Sequence, residues 1–471
     1  MNLHPSVGNI GLSSQLARHA VQFDARNLSE TTVAATQRAI LDGIGVMLAA
    51  SGESAEARAF YELVSAEPGP PQASLLGFNL CASATQAALT NGALAHALDY
   101  EDAFDLAPLH PNASLLPAAM ATAECRPCSG LEFIAAVALG CDLTCRLGLS
   151  LQQPLEEAGW YPPPILGAFG ATLAAGRLAR LDAQALCDAW SLVLAQNSCP
   201  GEIKTSARTV LRAVREAFPA HAAVLSVQLA ARGIRGFGAP FEGDAAFYAL
   251  FAGGTFDSDA MLGNLGKRFW IEQLSFKRWP CCRGTHAYVE AIQLLRRAHQ
   301  FVPADIGRIV CAGSPIQRML CEPLAQKRAP KTVIDAKFSI PFVVALALTA
   351  DEVTLESFTL DQLEDTDLLS IAARCEFALN PRLPPATAAT GEVTLHLRDG
   401  RVLSHSIARA LGDPSRPLED DALREKFIDC ASRAAYPITR TQAMKFADRV
   451  FSLTREPDVT AVFQSLRCTA A

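Results

Sequence analysis

The chain has 471 residues, too many for one ordinary core, so two domains or one large domain with an insertion are expected. Half of the residues are hydrophobic and 19% are charged, a balance that excludes a disordered chain. The net charge of −7, with no long Lys/Arg run, leaves no electrostatic footprint for nucleic acid.

The N-terminus, "MNLHPSVGNIGLSSQLARHAVQF", has no basic segment followed by an apolar one and is not read as a secretory signal. The most apolar stretches read as too short or too interrupted to cross a bilayer, so no membrane partner is expected. The 14 cysteines are scattered and read as reduced thiols of a cytoplasmic protein. Cys125-Arg-Pro-Cys128 has no second pair at zinc spacing, so no metal is expected there.

From residue 12 to about 260 the pattern is helical. "SETTVAATQRAILDGIGVMLAA" opens on a Ser/Thr cap near Ser29. "SATQAALTNGALAHALDY", "GLEFIAAVALGCDLTCRLGLSL", "ILGAFGATLAAGRLARL", "AQALCDAWSLVLAQN" and "AHAAVLSVQLAARGI" follow. Ala and Gly dominate their faces, which lets helices approach closely. Near 270 the pattern changes. "DIGRIVCAG" (305–313) reads as a strand, and "GEVTLHLRDGRVLSHSI" (391–407) as a hairpin turning at Asp399-Gly400. "DAKFSIPFVVALAL" is expected to start extended and become helical after Pro341. "EDDALREKFIDCASRA" returns to helix. The expected fold is mainly α: a large all-α helical domain (1–268), an inserted smaller α/β lid domain (269–411), and C-terminal helices (412–471) returning to the helical domain.

Three stretches carry chemistry. "HALDYEDAFDLAPLHP" (96–111) holds two of the nine histidines and several acids. His96 and Asp99 share a face at a helix end, and Pro111 restrains His110. A solvated acidic loop has the same spacing. "QLSFKRWPCCRGTHAYVEAI" (273–292) joins Lys277, Cys281, Cys282, Arg283 and His286 around a proline turn. Its "GTH" reads as a helix start, where N–H groups favour a carboxylate. Beside Phe276 and Trp279, Lys277 is expected to have a lowered pKa and to act as a base; a surface lysine fits as well. In "AGWYPPPILGAFGATLAAG", Tyr161 stands before three prolines, placed either to donate a proton or simply packed. G-x-G-x-x-G, P-loop, G-x-S-x-G and H-E-x-x-H motifs are missing from any supporting context, which removes the nucleotide, serine-hydrolase and zinc-protease classes.

With these stretches in order, the chain resembles the MmgE/PrpD family, which includes 2-methylcitrate dehydratase, cis-aconitate decarboxylase and iminodisuccinate epimerase. The resemblance is carried by "AILDGIGVMLAAS", "NGALAHALDYEDAF…LHPNASLLPAAMA", "GAFGATLAAGRLARLD", "KRWPCCRGTH", "KFSIPFVVALAL", "DGRVLSH" and "GDPSRPLEDDALREKF". It implies a cofactor-free enzyme, a homodimer, and a pocket between the helical domain and the lid. It also implies that Asp99, His110 and Lys277 stand at pocket positions. Four positions depart from the decarboxylase pattern. Ala103 replaces a threonine, Tyr161 a second histidine, and Cys282 a further histidine, with His286 beyond it. A second pocket lysine aligns best with Arg212, with Lys204 and Arg208 as neighbours.

The expected catalytic set is therefore His110, Lys277, Tyr161 and Asp99, and the expected substrate-binding set is Arg212, Arg283, Cys282 and His286. His96 is expected to support the helix end, and the roles of Glu101 and Asp102 are open. The expected reaction removes a proton next to a carboxylate of a di- or tricarboxylate. A hydro-lyase comes first, a dicarboxylate epimerase or isomerase second, and a catalytically silent binding protein third.

Overall fold

A computed structural model describes residues 10–206, 208–383 and 388–467. The fold is mainly α, with two small sheets. The helices that carry the site are α1 (Glu30–Glu53), α2 (Ala84–Ala97), α3 (Pro111–Cys125), α4 (Gly130–Ser150), α5 (Pro162–Leu178) and α6 (Ala217–Ala230). Helix α5 packs against α3, α4 and α6, and α2 packs against α3 and α6.

Local chemistry starts these helices where the sequence places them. The Ser29 hydroxyl accepts the Thr32 N–H at 3.0 Å and caps α1. Pro111 and Pro162 open α3 and α5, where a missing N–H costs nothing and φ is already helical. The residue before each, His110 and Tyr161, stays non-helical and is aimed by the first turn behind it. Small residues then close the bundle. A Cβ at Gly140 of α4 would stand 2.6 Å from the Gly170 carbonyl of α5, and one at Gly170 2.4 Å from the Gly140 carbonyl, so the two helices meet at backbone distance.

Residues 286–410 form a smaller layer. Helices α7 (His286–Ala298) and α8 (Ile340–Thr349) accompany a four-stranded sheet of β1 (Ile306–Gly313), β2 (Cys375–Leu379), β3 (Gly391–Leu397) and β4 (Val402–Ile407). Its order is β2-β1-β3-β4. The β1/β2 pair is parallel and the others are antiparallel. The β3–β4 hairpin turns at Asp399-Gly400 as expected, with Gly400 at φ 91°. Strand β3 alternates buried and half-buried residues along its length. Helices α9 (Asp420–Ser432) and α10 (Arg440–Phe451) return to pack on α1.

Two expectations are corrected. The start of the segment read as extended before Pro341 belongs to a short helix, Val333–Lys337, capped by Thr332; Ser339 is extended, and α8 begins at Ile340, ahead of Pro341. Proline sits in the first turn of α8 rather than ahead of it. Secondly, α1 and α4 are long and apolar enough to cross a membrane by length and composition. Their apolar windows are 78% and 89% buried inside the protein, respectively, so both serve as core helices.

Candidate active site

Just past the end of helix α2, Asp99 has a φ of +49° that turns the chain away from the helix axis; a left-handed residue of this kind suits Asp better than most side chains. Three successive carbonyls at this end are each taken by a buried lysine. Lys337 Nζ donates to the Leu98 carbonyl (2.9 Å) and to that of Pro280 (2.9 Å). Lys277 Nζ donates to the Asp99 carbonyl (2.9 Å) and to Asp99 Oδ1 (2.6 Å). Lys426 Nζ donates to the Tyr100 carbonyl (2.7 Å) and the Lys277 carbonyl (3.0 Å), and pairs with Asp42 (2.7 Å). Positive charge at a helix C-terminus is favoured by the macrodipole and by the orphan carbonyls. These lysines come from three separate segments, so the end of α2 is fastened to the lid and to α9 at once.

This reverses the expectation of a lowered pKa for Lys277. Burial pulls its pKa down, but the Asp99 and Glu101 carboxylates outweigh burial and hold it above the ordinary lysine value. Lys277 is fully buried, paired and charged. Lys337 is the lysine whose pKa falls, to about 8, because burial there exceeds the help from Asp99.

Glu101 sits beyond this staple and joins both histidines. Its Oε1 accepts from His96 Nδ1 and lies 2.9 Å from His110 Nδ1. The Asp102 carbonyl also accepts from His110 Nδ1 at 2.9 Å. Both partners of this nitrogen are acceptors, so it carries the proton, and Nε2 is left as the basic lone pair. Burial opposes the charge on Glu101, but the two imidazoles and the Lys277 ammonium hold its carboxyl well below the usual range. His96 is fully buried and pushed down to about 3 by burial and by Arg215, so it stays neutral. Asp102 is pushed up to about 8 by burial and by the Asp42 and Glu101 carboxylates. It therefore stays protonated at neutral pH, with Oδ2 accepting from Asn112 at 3.3 Å. One ligand-type atom each from His96, Asp99, Glu101 and His110 lies within 4.8 Å of the others. The Lys277 ammonium, 2.6 Å from Asp99 Oδ1, supplies the positive charge such a set demands.

A cavity of about 290 Å³ opens between the helical layer and the segments 282–284, 315–320 and 338. His110, Tyr161, Lys204 and Arg212 line it from the helical side, and Cys282, Arg283, Gln317 and Phe338 from the other side. Arg212 is 6% exposed, and among the described residues its Nε and Nη2 have no hydrogen-bond partner. Its guanidinium stacks 3.4 Å over the Phe338 ring, which fixes its plane. Tyr161 is held by a backbone bond to the Cys199 carbonyl (2.8 Å). Three cations surround its ring: Arg215 at 5.1 Å, Lys204 at 5.7 Å and Arg212 at 5.8 Å. Arg215 is buried beside Glu216 at 2.9 Å, with Nη2 unpartnered.

The eight residues proposed from sequence thus divide. His110, Tyr161, Arg212, Cys282 and Arg283 line the cavity. Asp99 and Lys277 stand behind it as the fully buried ion pair. His286 also lies away from it, with Nε2 donating to the Cys281 carbonyl (3.1 Å) and Nδ1 beside Arg283 Nη1 (3.4 Å). Burial and then Arg283 hold His286 well below its usual pKa, so it is a neutral strut. Arg283 reaches the wall but is fully engaged, by Asp105 (3.1 Å), the carbonyls of Leu411 (2.9 Å) and Ala410 (3.2 Å), and Ser275 Oγ (3.4 Å). Cys282 is pushed up to about 11 by burial and the Asp99 carboxylate, which keeps it a thiol. Arg208 is exposed. Ala103 lines the cavity and pairs with Ser275 through backbone bonds of 2.9 and 2.8 Å, tying the His110 loop to the Lys277 segment. Sequence reading missed Arg215, Lys337 and Lys426. The signal available for Lys337 was a lone charge set into an apolar run, which a buried polar partner explains.

Residues 14–259 match the profile described as MmgE/PrpD N-terminal domain, and residues 279–450 match that of the MmgE/PrpD C-terminal domain. The chain belongs to the MmgE/PrpD family. Full-length relatives include a cis-aconitate decarboxylase-like protein, oryM, of Aspergillus oryzae, 24% identical over 96% of each chain. A cis-aconitate decarboxylase of Aspergillus terreus is 22% identical over 97% of this chain and 96% of its own. The human cis-aconitate decarboxylase is 24% identical over 74% of this chain and 73% of its own. The two matched segments meet at the cavity, since His110, Tyr161 and Arg212 lie in the first and Cys282, Arg283 and Phe338 in the second.

Proposed function

We propose that this MmgE/PrpD protein is a cofactor-independent, lyase-type enzyme that removes a proton next to a carboxylate of a di- or tricarboxylic acid, with dehydration as the reaction. The observation that carries the reading is His110. Its Nδ1–H is fastened by Glu101 and the Asp102 carbonyl, in one cavity with an unpartnered arginine and a tyrosine. An imidazole oriented this way is a general base. Its Nε2 takes the α-proton, and negative charge develops on the adjacent carboxylate as it becomes enolate-like. Arg212, with two unpartnered N–H-bearing nitrogens, is placed to receive that charge. The Tyr161 hydroxyl donates a proton to the departing hydroxyl, so C–H and C–O bonds break, and an alkene and water form.

The relatives named as cis-aconitate decarboxylases support a lyase acting on a carboxylic acid. A second reading is an epimerase or isomerase of a dicarboxylate. It is favoured by the presence of two proton-carrying side chains, His110 and Tyr161, in the lining of one cavity, as a two-base exchange at one carbon requires. The setting of this reading is a cytoplasmic homodimer.

Proton NMR in D2O tests it, with a panel of citrate-, malate- and aconitate-like acids and amino- or imino-dicarboxylates. A new alkene signal without loss of CO2 supports the hydro-lyase, and one with loss of CO2 makes the enzyme a decarboxylase. Deuterium uptake at the α-carbon without loss of water or CO2 moves the assignment to the epimerase. Absence of both across the panel refutes proton-abstraction chemistry on these acids.

A further inference from the structure

The two walls of the cavity differ in what they leave unbonded. On the helical side stand His110, Tyr161, Lys204 and Arg212, together with the carboxylates of Glu156, which acts on Lys204, and of Asp105, which is already taken by Arg283 and Ser275. On the lid side, among the described residues, the polar side chains are already satisfied or neutral. The Arg283 guanidinium is bonded to Asp105, Ser275 and the 410–411 carbonyls. The Gln317 amide donates to the carbonyls of Gly284 (2.9 Å), Ala388 (2.8 Å) and Thr390 (3.0 Å), and its Oε1 accepts the Ser314 N–H (2.9 Å). Cys282 adds only a protonated thiol. What remains of the lid wall is Pro315, Ile316, Met319, Leu320 and Phe338.

A carboxylate laid against that wall would lose water and gain no free side-chain donor in return, because the Arg283 guanidinium is already bonded, a cost of several kcal/mol by general desolvation arguments. An alkyl or aryl group laid there gains about 25 cal/mol for each Å² buried. Volume agrees, since a cavity of about 150 Å³ takes a benzene ring. The 290 Å³ here accommodates a ring of that size beside a four-carbon diacid core.

We infer that the substrate carries an apolar substituent that rests on the lid turn 315–320 while its carboxylates face Arg212 and Lys204 on the helical side. This inference rests on the carboxylic-acid reading above and names the part of the substrate class that reading leaves open. Specificity against unsubstituted acids then lies in Ile316 and Met319, two residues remote from the proton-transfer groups in sequence.

Calorimetric titration of the full-length protein with succinate and with 2-benzylsuccinate decides it. The expected result is a dissociation constant at least tenfold lower for 2-benzylsuccinate. The double variant Ile316→Asn, Met319→Ser should abolish that difference and leave the succinate constant unchanged. Met319 is 39% exposed and Ile316 half-buried, so the variant is expected to fold, and its melting temperature checks this. Equal or weaker binding of the benzyl compound overturns the inference, as does an advantage that survives in the folded double variant. No measurable binding of either acid also counts against it. The α-proton exchange experiment stands apart: its failure removes the proposed chemistry, whereas the ratio of these two constants judges the apolar subsite alone.

Discussion

Segments 96–110 and 277–286 look equally rich in catalytic side chains as sequence, and the fold uses them in opposite ways. In 96–110, Glu101 and the Asp102 carbonyl fix one nitrogen of His110, and the ring still lines the cavity. In 277–286, Lys277 is consumed by Asp99, Arg283 by the 410–411 carbonyls and His286 by the Cys281 carbonyl. The difference teaches that a functional residue is recognised by the polar atom its neighbours leave unbonded. Residue type and clustering do not distinguish a reagent from a strut.

The largest effect expected from this contrast is on folding. Lys277→Met leaves the Asp99 carboxylate buried without its cation, a loss of about 3–5 kcal/mol for a broken buried pair. Adding Asp99→Ala should recover part of that stability. Denaturant titration reads both, and a Lys277→Met protein of unchanged stability would break the comparison by making Lys277 free for chemistry. Next comes Tyr161→Phe, which keeps the packed ring and removes the hydroxyl proposed as the proton donor. Turnover is expected to fall about 10²- to 10⁴-fold, the usual range for a general acid, with the melting temperature nearly unchanged. A loss of stability without a loss of rate would make Tyr161 a packing residue.

The fold was legible where periodicity and turn chemistry agree. The Ser29 cap, the proline-opened helices and the Asp399-Gly400 hairpin all follow from local rules. His110 was legible because a proline follows it. The sign of the Lys277 shift was not, because Phe276 and Trp279 are adjacent in sequence while Asp99 lies 178 residues away. Nearby apolar residues argue for a lowered pKa, and only the fold brings up the carboxylate that reverses it. Lys337 and Lys426 were invisible for the same reason, since their partners are backbone carbonyls of the 98–100 and 277–280 segments.

A smaller effect sharpens the role of the helical wall. Arg212→Gln removes the unpartnered guanidinium, and charge-assisted hydrogen bonds are worth about 1.5–3 kcal/mol. KM is expected to rise roughly 10- to 100-fold. An unchanged KM would move the carboxylate contact to Lys204.

A further effect depends on pH. Asp102 has its folded pKa raised from 3.8 to about 8. Between those values the folded state binds a proton that the unfolded state releases, so this group's contribution to stability falls as pH rises through that window. Asp102→Asn mimics the protonated form and removes the decline. The melting curves of variant and parent should diverge in the variant's favour from about pH 4 toward pH 8, and parallel curves would mean that Asp102 is ionised in the folded protein.

The central claim is that the reacting base is His110 on the helical wall. Its most direct test is the rate at which an acid bound by the protein exchanges its α-proton in D2O, compared between the parent and His110→Ala. The account predicts exchange in the parent and a loss of about 10²-fold or more in the variant, with affinity for the acid retained. Exchange at the parental rate in a folded His110→Ala protein would contradict it and send the search for the base elsewhere in the cavity.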